Sequence, residues 1–260
     1  MSAVKKDLKE LLVMALIAGR IMLRNGAETY RVEDTILRLC KSRMNIKYAE
    51  AFVTPTGIFM TVEYRDEVLS YTYRIKSRNI DLNKVALVNE FSRNFVNSNM
   101  TTEEGSSILK EIEKKKAYSL PVQLFFGGIG GSFFALLSGV RFLDFVCTFV
   151  SSFSLIGVLY YLNKIKLSFF LKNILGGMIA TILSIFFVEI GIGHDLNKII
   201  IGTIILLVPG VAITNAIRDS ITEDFLSGLS RGIEALIIAL SIAFGVGITL
   251  RIYFQALGGM

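Results

Sequence analysis

Beyond Tyr118 the sequence is a succession of five long apolar runs, at residues 120–140, 142–162, 169–192, 199–217 and 232–254, separated by short charged gaps. Each run is 19 to 24 residues long, and about 20 apolar residues in a helix cross a hydrocarbon core of about 30 Å. A large buried helical core is the alternative, but five such runs in succession with so little polar sequence between them fit a bilayer far better. The runs therefore predict an all-α membrane domain of about five transmembrane helices over residues 118–260, with the lipid bilayer as its main partner.

The charge distribution divides the chain at the same place. Up to Ala117 there are 20 Lys and Arg and 15 Asp and Glu, and from Tyr118 onward only 8 and 7. The overall net charge of +6 thus falls mostly on the first part. A basic domain beside a bilayer is expected on the anionic, cytoplasmic side. Its cations are interleaved with acids and form no stripe or nucleic-acid motif, so no nucleic-acid partner is expected. Lys114, Lys115 and Lys116 precede the first run and place that side in the cytoplasm. Alternation then puts Lys164, Lys166, Lys172, Arg218 and Arg231 inside and leaves Arg141, Lys198 and Arg251 outside. The expected topology is multi-pass in the plasma (inner) membrane, with a cytoplasmic N-terminus and an external C-terminus.

Residues 1–117 read as a cytoplasmic α+β domain. Helical spacing covers 8–23, and Asn25-Gly26 is a plausible stop, because glycine accepts the left-handed cap conformation. A second helix is expected over 27–43, with Glu28, Glu33 and Asp34 early and Arg38, Lys41 and Arg43 late, in the sense that complements the helix dipole. Residues 48–64 are rich in β-branched and aromatic side chains around Thr54-Pro55-Thr56-Gly57. They predict two strands, with a turn at 65–67 and a third strand over 68–75. Helices return over 82–97 and 101–116, the latter with Thr101 or Thr102 as its cap. The N-terminus turns from basic to apolar as a signal peptide does, but Asp7 and Glu10 interrupt it and the helical pattern runs on.

Chemistry concentrates near the fourth run. Pro209-Gly210 lies inside it, and proline removes a backbone donor and clashes with the preceding turn, so the helix kinks or breaks there. A broken helix in a membrane lines a wet cavity or is buried in protein, and its restarted half presents unpaired N–H groups suited to a carboxylate. Asn215 and Asp219 are four apart and Asn215 and Arg218 three apart, so they share one side of the helix. Arg231 and Glu234 are likewise neighbours, and Glu234, a turn into the fifth run, is expected to find Arg231 or Arg218. The plain alternative is a structural ion-pair cluster and a simple proline kink.

Pro209, Gly210, Asn215, Arg218, Asp219, Arg231 and Glu234 are therefore the candidate substrate-binding or gating residues, for a small polar carboxylate solute. The glycines at 127, 128, 130, 131, 139, 176, 177, 245 and 247 read as close helix packing or as hinges and walls of a solute path. Glu189 reads as interfacial and His194, beside Asp195, as a loop residue. No catalytic arrangement, metal-ligand spacing, phosphate-binding loop or cofactor motif stands out. Cys40 and Cys147 fall on different sides of the domain division, so no disulfide is expected.

Two segments carry a family resemblance. PGVAITNAIRDSITEDFLSGLSRGIEALIIALSIAFGVG resembles the signature of the threonine/serine exporter family, and LIAGRIMLRNGAETYRVEDTILRL resembles that family's opening motif, in which Gly26, Ala27, Glu28, Arg31 and Glu33 fall. TPTGIFMTV fits as well. The resemblance implies a secondary exporter of threonine and serine, or of dicarboxylates such as succinate. It implies either a fused chain of about ten spans or a split pair with a separate membrane subunit of four to five spans, the second half running inverted. Self-association into a homo-oligomer is the other assembly it leaves open. A hydrolytic role has been suggested for the family's soluble domain, but no nucleophile and base support it here. A membrane-anchored sensor or scaffold is the remaining alternative.

Overall fold

The computed structural model describes residues 3–43, 46–65, 67–165 and 167–258. Lys166, one of the cations assigned to the inside, and Asp66 of the expected turn lie outside the described residues. The chain forms two compact units, Met1–Ala117 with Val211–Ile233, and Tyr118–Gly210 with Glu234–Met260.

The first unit is mainly helical around a small sheet. Its elements are α1 (Ala3–Arg24), α2 (Thr29–Cys40), β1 (Tyr48–Thr54), β2 (Gly57–Tyr64), β3 (Glu67–Arg74), α3 (Leu82–Asn97) and α4 (Thr102–Lys114), joined by α9 (Gly210–Ile221) and the start of α10 (Phe225–Gly258). The period-3.6 pattern of α1 buries Leu8, Leu11, Leu12, Ala15 and Met22. These pack with Val32, Ile36 and Leu39 of α2 and with Val88, Phe91 and Phe95 of α3 in one continuous core. The third side of that core is the sheet, antiparallel in the order β1-β2-β3. Strand alternation turns Ala49, Ala51 and Val53 inward and Tyr48 and Phe52 outward. The register pairs Val53 with Ile58 and Met60 with Tyr71, which puts Ile58 and Met60 on the buried face. Truncating one of these buried aliphatic side chains to alanine costs about 2–5 kcal/mol.

The helix ends explain themselves locally. Gly26 follows α1 with φ +94°, the left-handed conformation that favours glycine. Thr101 caps α4 in a reciprocal capping box, accepting from the Glu104 N–H at 3.2 Å while Glu104 accepts from the Thr101 N–H at 2.8 Å. Two details depart from the sequence reading. α2 starts at Thr29 rather than 27, and Glu28 is its extended N-cap residue (φ −66°, ψ 147°) without a side-chain cap bond. Arg43, expected to complement the end of α2, instead donates to the carbonyls of Phe95 (2.7 Å), Ser98 and Met100 (3.1 Å) and stacks on the Phe95 ring. It thereby ties the segment after α2 to the end of α3 and the residues that follow it.

The second unit comprises α5 (Leu120–Leu137), α6 (Phe142–Lys164), α7 (Phe169–Glu189), α8 (Leu196–Ile204) and the remainder of α10. Among the described residues four helices are long and apolar enough to cross a membrane: Leu120–Leu137, Phe142–Lys164, Phe169–Glu189 and Phe225–Leu257. The fourth apolar run differs, being two short helices, α8 of 9 residues and α9 of 12, with residues 205–209 non-helical between them. Pro209 stands at the end of this break, as its missing donor requires.

The second unit is inverted in its burial. Ser132, Thr148, Ser152, Thr181, Ser184 and Thr203 are buried, whereas Phe126, Leu137, Phe142 and Phe186 are exposed. Ser132, Thr148, Thr181 and Ser184 each donate to the carbonyl four residues back in their own helix, which satisfies them without water. Small residues inside and large apolar ones outside are what a lipid-facing bundle needs. The packing reading of the glycines holds where α7 meets α10. A Cβ at Gly177 would lie 2.7 Å from the Ile242 carbonyl, and one at Gly245 would lie 2.2 Å from that of Ile174. At Gly130, Gly139 and Gly247 a Cβ would meet nothing within 4 Å.

Asp144, on the buried face of α6, escaped the sequence reading. It accepts from the main-chain N–H of His194 at 2.6 Å and of Asp195 at 3.3 Å, pinning the loop before α8. Asp195 in turn caps α8 by accepting from Lys198 N–H at 3.2 Å. Glu189, at the end of α7, accepts from the Tyr253 hydroxyl.

Candidate functional site

Within the first unit, the turn that joins α1 to α2 lies against α9 and the first turns of α10. Gly26, Ala27 and Glu28 of the turn, and Thr29 that opens α2, each have a partner there. Asn215 Nδ2 donates to the Gly26 carbonyl at 2.9 Å. Arg231 Nη2 donates to the Ala27 carbonyl at 2.9 Å. Arg218 Nη1 donates to Glu28 Oε1. Thr29 donates to Asp219 Oδ1 through its hydroxyl at 2.9 Å and through its N–H at 3.4 Å. The extended backbone at Glu28 turns these groups outward in succession, so the sequence Gly26-Ala27-Glu28-Thr29 is read residue by residue by one helix pair.

The α9 side of this latch follows from helical geometry. Asn215, Arg218 and Asp219 occupy one side of the helix by their three- and four-residue spacing. α9 closes on Glu223, whose φ of +65° is left-handed, and the Asp224 N–H reaches back to the Asp219 carbonyl at 2.9 Å. Asp224 then starts α10 by accepting from Ser227 N–H at 3.1 Å. Gly228 lets the two helices approach, because a Cβ there would lie 3.0 Å from the Ala216 carbonyl.

Two ion pairs of different character result. Asp219 and Arg231 meet at 3.1 Å with side-chain exposures of 0% and 6%. Two charges taken this far from water hold only as a pair, and removing one partner from such a pair costs about 3–5 kcal/mol. Glu28, 11% exposed, is shared: Arg218 takes Oε1 and Arg31 Nε takes Oε2 at 3.2 Å. Arg218 itself is half exposed. One carboxylate held by two guanidiniums, one oxygen to each, is a charge-assisted recognition geometry, and it leaves one positive charge uncompensated within the triad.

Glu33, one turn further along α2, accepts from the Val53 N–H at 2.8 Å and so ties the helix to β1. Burial pushes its carboxyl above the ordinary glutamate range; the Val53 hydrogen bond opposes this, and the neighbouring Asp224, Glu50 and Asp219 add to it.

The structure therefore brings together Asn215, Arg218, Asp219 and Arg231 with Gly26, Ala27, Glu28, Arg31 and Thr29. Pro209, Gly210 and Glu234 belong to the second unit, Pro209 and Gly210 at the start of α9 and Glu234 in α10. Arg231 carries the Asp219 carboxylate and Arg218 that of Glu28. Thr29 was not legible as a site residue, since a threonine at a helix start reads as a cap. Among the described residues no cluster of three or more His, Cys, Asp or Glu could hold a metal ion.

Comparison with known proteins agrees with this architecture. A family model described as "Putative threonine/serine exporter" matches residues 13–253. The chain is 27% identical over 250 residues to the threonine/serine exporter of Corynebacterium glutamicum, covering 92% of this chain and 51% of that protein. It is 21% identical over 247 residues to a "Probable threonine/serine exporter" of Mycobacterium tuberculosis, covering 94% of this chain and 46% of that protein. It thus spans about half the length of the curated relatives it matches. No solved structure matches. These relatives are named as exporters, that is, as membrane transporters and not as enzymes, and the chain, with its family match from residue 13 to residue 253, belongs to the threonine/serine exporter family.

Proposed function

We propose that this chain forms one half of a secondary exporter for a small carboxylate-bearing solute, either threonine and serine or a dicarboxylate such as succinate. The observation that carries this reading is the Glu28 carboxylate held between Arg31 and Arg218. It supports a role for the half-exposed Arg218 guanidinium in holding a solute carboxylate. In this reading Arg218 meets the solute, Asn215, Asp219 and Arg231 hold the helix pair in place, and the break at Pro209-Gly210 supplies the movable element. Glu234 contributes an acid near the same helix start.

Further parts of the proposal follow the sequence. Residues 1–117 act as a cytoplasmic domain and residues 118–260 as the membrane domain. The broken α8–α9 run counts as a fifth span, which leaves the N-terminus inside and the C-terminus outside. A separate small membrane subunit of four to five spans is the partner that the family resemblance implies. Deleting the gene is expected to raise the intracellular pool of the exported solute, and restoring the chain to lower it. Unchanged pools of threonine, serine and succinate in the deletion strain would remove this reading.

A further inference from the structure

Glu28 is oddly placed for a residue that only stabilises. It stands at the N-cap of α2, a position where Ser, Thr, Asp and Asn are the residues that cap, and its carboxylate makes no cap bond. Its two oxygens are instead divided between Arg218 and Arg31. The turn does not depend on it for attachment, because Gly26, Ala27 and Thr29 are held independently by Asn215, Arg231 and Asp219. Those three contacts involve buried partners; Asn215, Arg231 and Asp219 are all less than 6% exposed. Of the residues reaching the turn, Arg218 is the open one, with 50% of its side chain exposed, and Arg31 is 37% exposed. A solute arriving from water meets these two guanidiniums first.

We propose that Arg31 and Arg218 together form the carboxylate subsite of the exporter and that Glu28 is its built-in occupant, displaced when a solute carboxylate binds. The proposal rests on the exporter reading and deepens it, adding Arg31 as a binding residue and Glu28 as a competitor. The chemistry is exchange between like groups. A solute carboxylate can take the same two oxygen positions, and Glu28, whose displacement leaves three other contacts on the turn, can swing into water. Because an internal carboxylate is present at high effective concentration, it weakens binding of a free one and keeps the empty site from standing as an unpaired double cation. Release of Glu28 also removes one of the four links that tie residues 26–29 to α9 and α10, so occupancy is reported to the turn.

The test is ligand binding to the purified full chain, by calorimetry, with succinate, threonine and threoninol, which lacks the carboxylate. Glu28→Gln should bind succinate and threonine more tightly than the unmodified chain by about tenfold, the factor that one net charge-assisted bond corresponds to. Arg31→Ala and Arg218→Ala should each weaken binding, and threoninol should bind none of them. Glu28→Asp, whose shorter side chain reaches the two arginines less well, should fall between the unmodified chain and Glu28→Gln, and it carries the test should Glu28→Gln not fold. Unchanged or weaker carboxylate binding in both Glu28 variants overturns the proposal. If Arg218→Ala at the same time abolishes binding, the exporter reading stands and only the built-in competitor falls.

Discussion

Thr29 and Asp219, 190 positions apart in sequence, are joined by a hydrogen bond of 2.9 Å from the threonine hydroxyl to the carboxylate that also pairs with Arg231. The bond makes the α1–α2 turn and the α9–α10 helix pair one structural body, and its cost structure is unequal. Thr29→Val removes one hydrogen bond and should lower stability by about 1–2 kcal/mol. Asp219→Ala leaves a buried guanidinium without its carboxylate and should cost about 3–5 kcal/mol. Unfolding of the two variants in detergent by urea or heat should show this ordering; equal small losses would contradict a buried, essential pair.

Stability should depend on pH through Glu33. Burial raises its carboxyl in the folded chain, so the folded state binds a proton more readily than the unfolded one. The linkage then runs as a penalty. It is absent below the ordinary glutamate value of about 4.3, grows as pH rises toward the raised folded value, and is complete above it. Glu33→Gln keeps an oxygen for the Val53 N–H and removes the charge. Its unfolding temperature should exceed that of the unmodified chain at pH 7 and match it near pH 4. A variant less stable at pH 7 but matched near pH 4 would show that the carboxylate is needed in its charged form.

Cys40 should be inert while the chain is folded. It is fully buried, 3.6 Å from the Met60 sulfur, and burial pushes its thiol up to about 12. In a Cys147→Ser background, a thiol reagent at pH 8 should label Cys40 only under unfolding conditions. Rapid labelling of the native protein would place a solvent path into the first unit's core.

How far these features could be read from sequence depends on whether their cause is local. The capping box at Thr101, the left-handed Gly26, the strand–turn–strand at 48–64 and the break at Pro209 follow from nearest neighbours, and each is in the structure. The shared face of Asn215, Arg218 and Asp219 follows from helical spacing. The partners of that face do not. Glu28 looks like an acid placed for the helix dipole, and nothing within a turn of it points 190 residues ahead to Arg218. Sequence spacing pairs Glu234 with Arg231, and the fold adds Asp219 to Arg231 and Glu28 to Arg218, which no spacing announces. Asp144 was missed for the same reason, since its role is to accept main-chain N–H groups 50 residues away.

The α9–α10 connection can be improved. Glu223 closes α9 with φ +65°, a conformation that costs a residue with a side chain roughly 1 kcal/mol relative to glycine. Glu223→Gly should therefore raise stability by about that amount without moving Asp219 or Arg231. A loss of stability would mean that the Glu223 side chain makes a contribution larger than the backbone cost.

The glycine crossing of α7 and α10 gives a matched pair of substitutions. A Cβ at Gly245 would lie 2.2 Å from the Ile174 carbonyl, a rigid backbone atom, while one at Gly247 would meet nothing within 4 Å. Gly245→Ala should force the helices apart and reduce the yield of folded protein in the membrane, and Gly247→Ala should be tolerated. Equal tolerance of both would contradict the close α7–α10 contact.

The central claim, that Arg218 meets the carboxylate of the exported solute, is tested most directly by efflux from cells preloaded with labelled threonine or succinate. With Arg218→Ala the account predicts abolished efflux at unchanged levels of the protein in the membrane, and Arg218→Lys should recover little of it, because an ammonium cannot reproduce the guanidinium's fork. Normal efflux by Arg218→Ala would contradict the account.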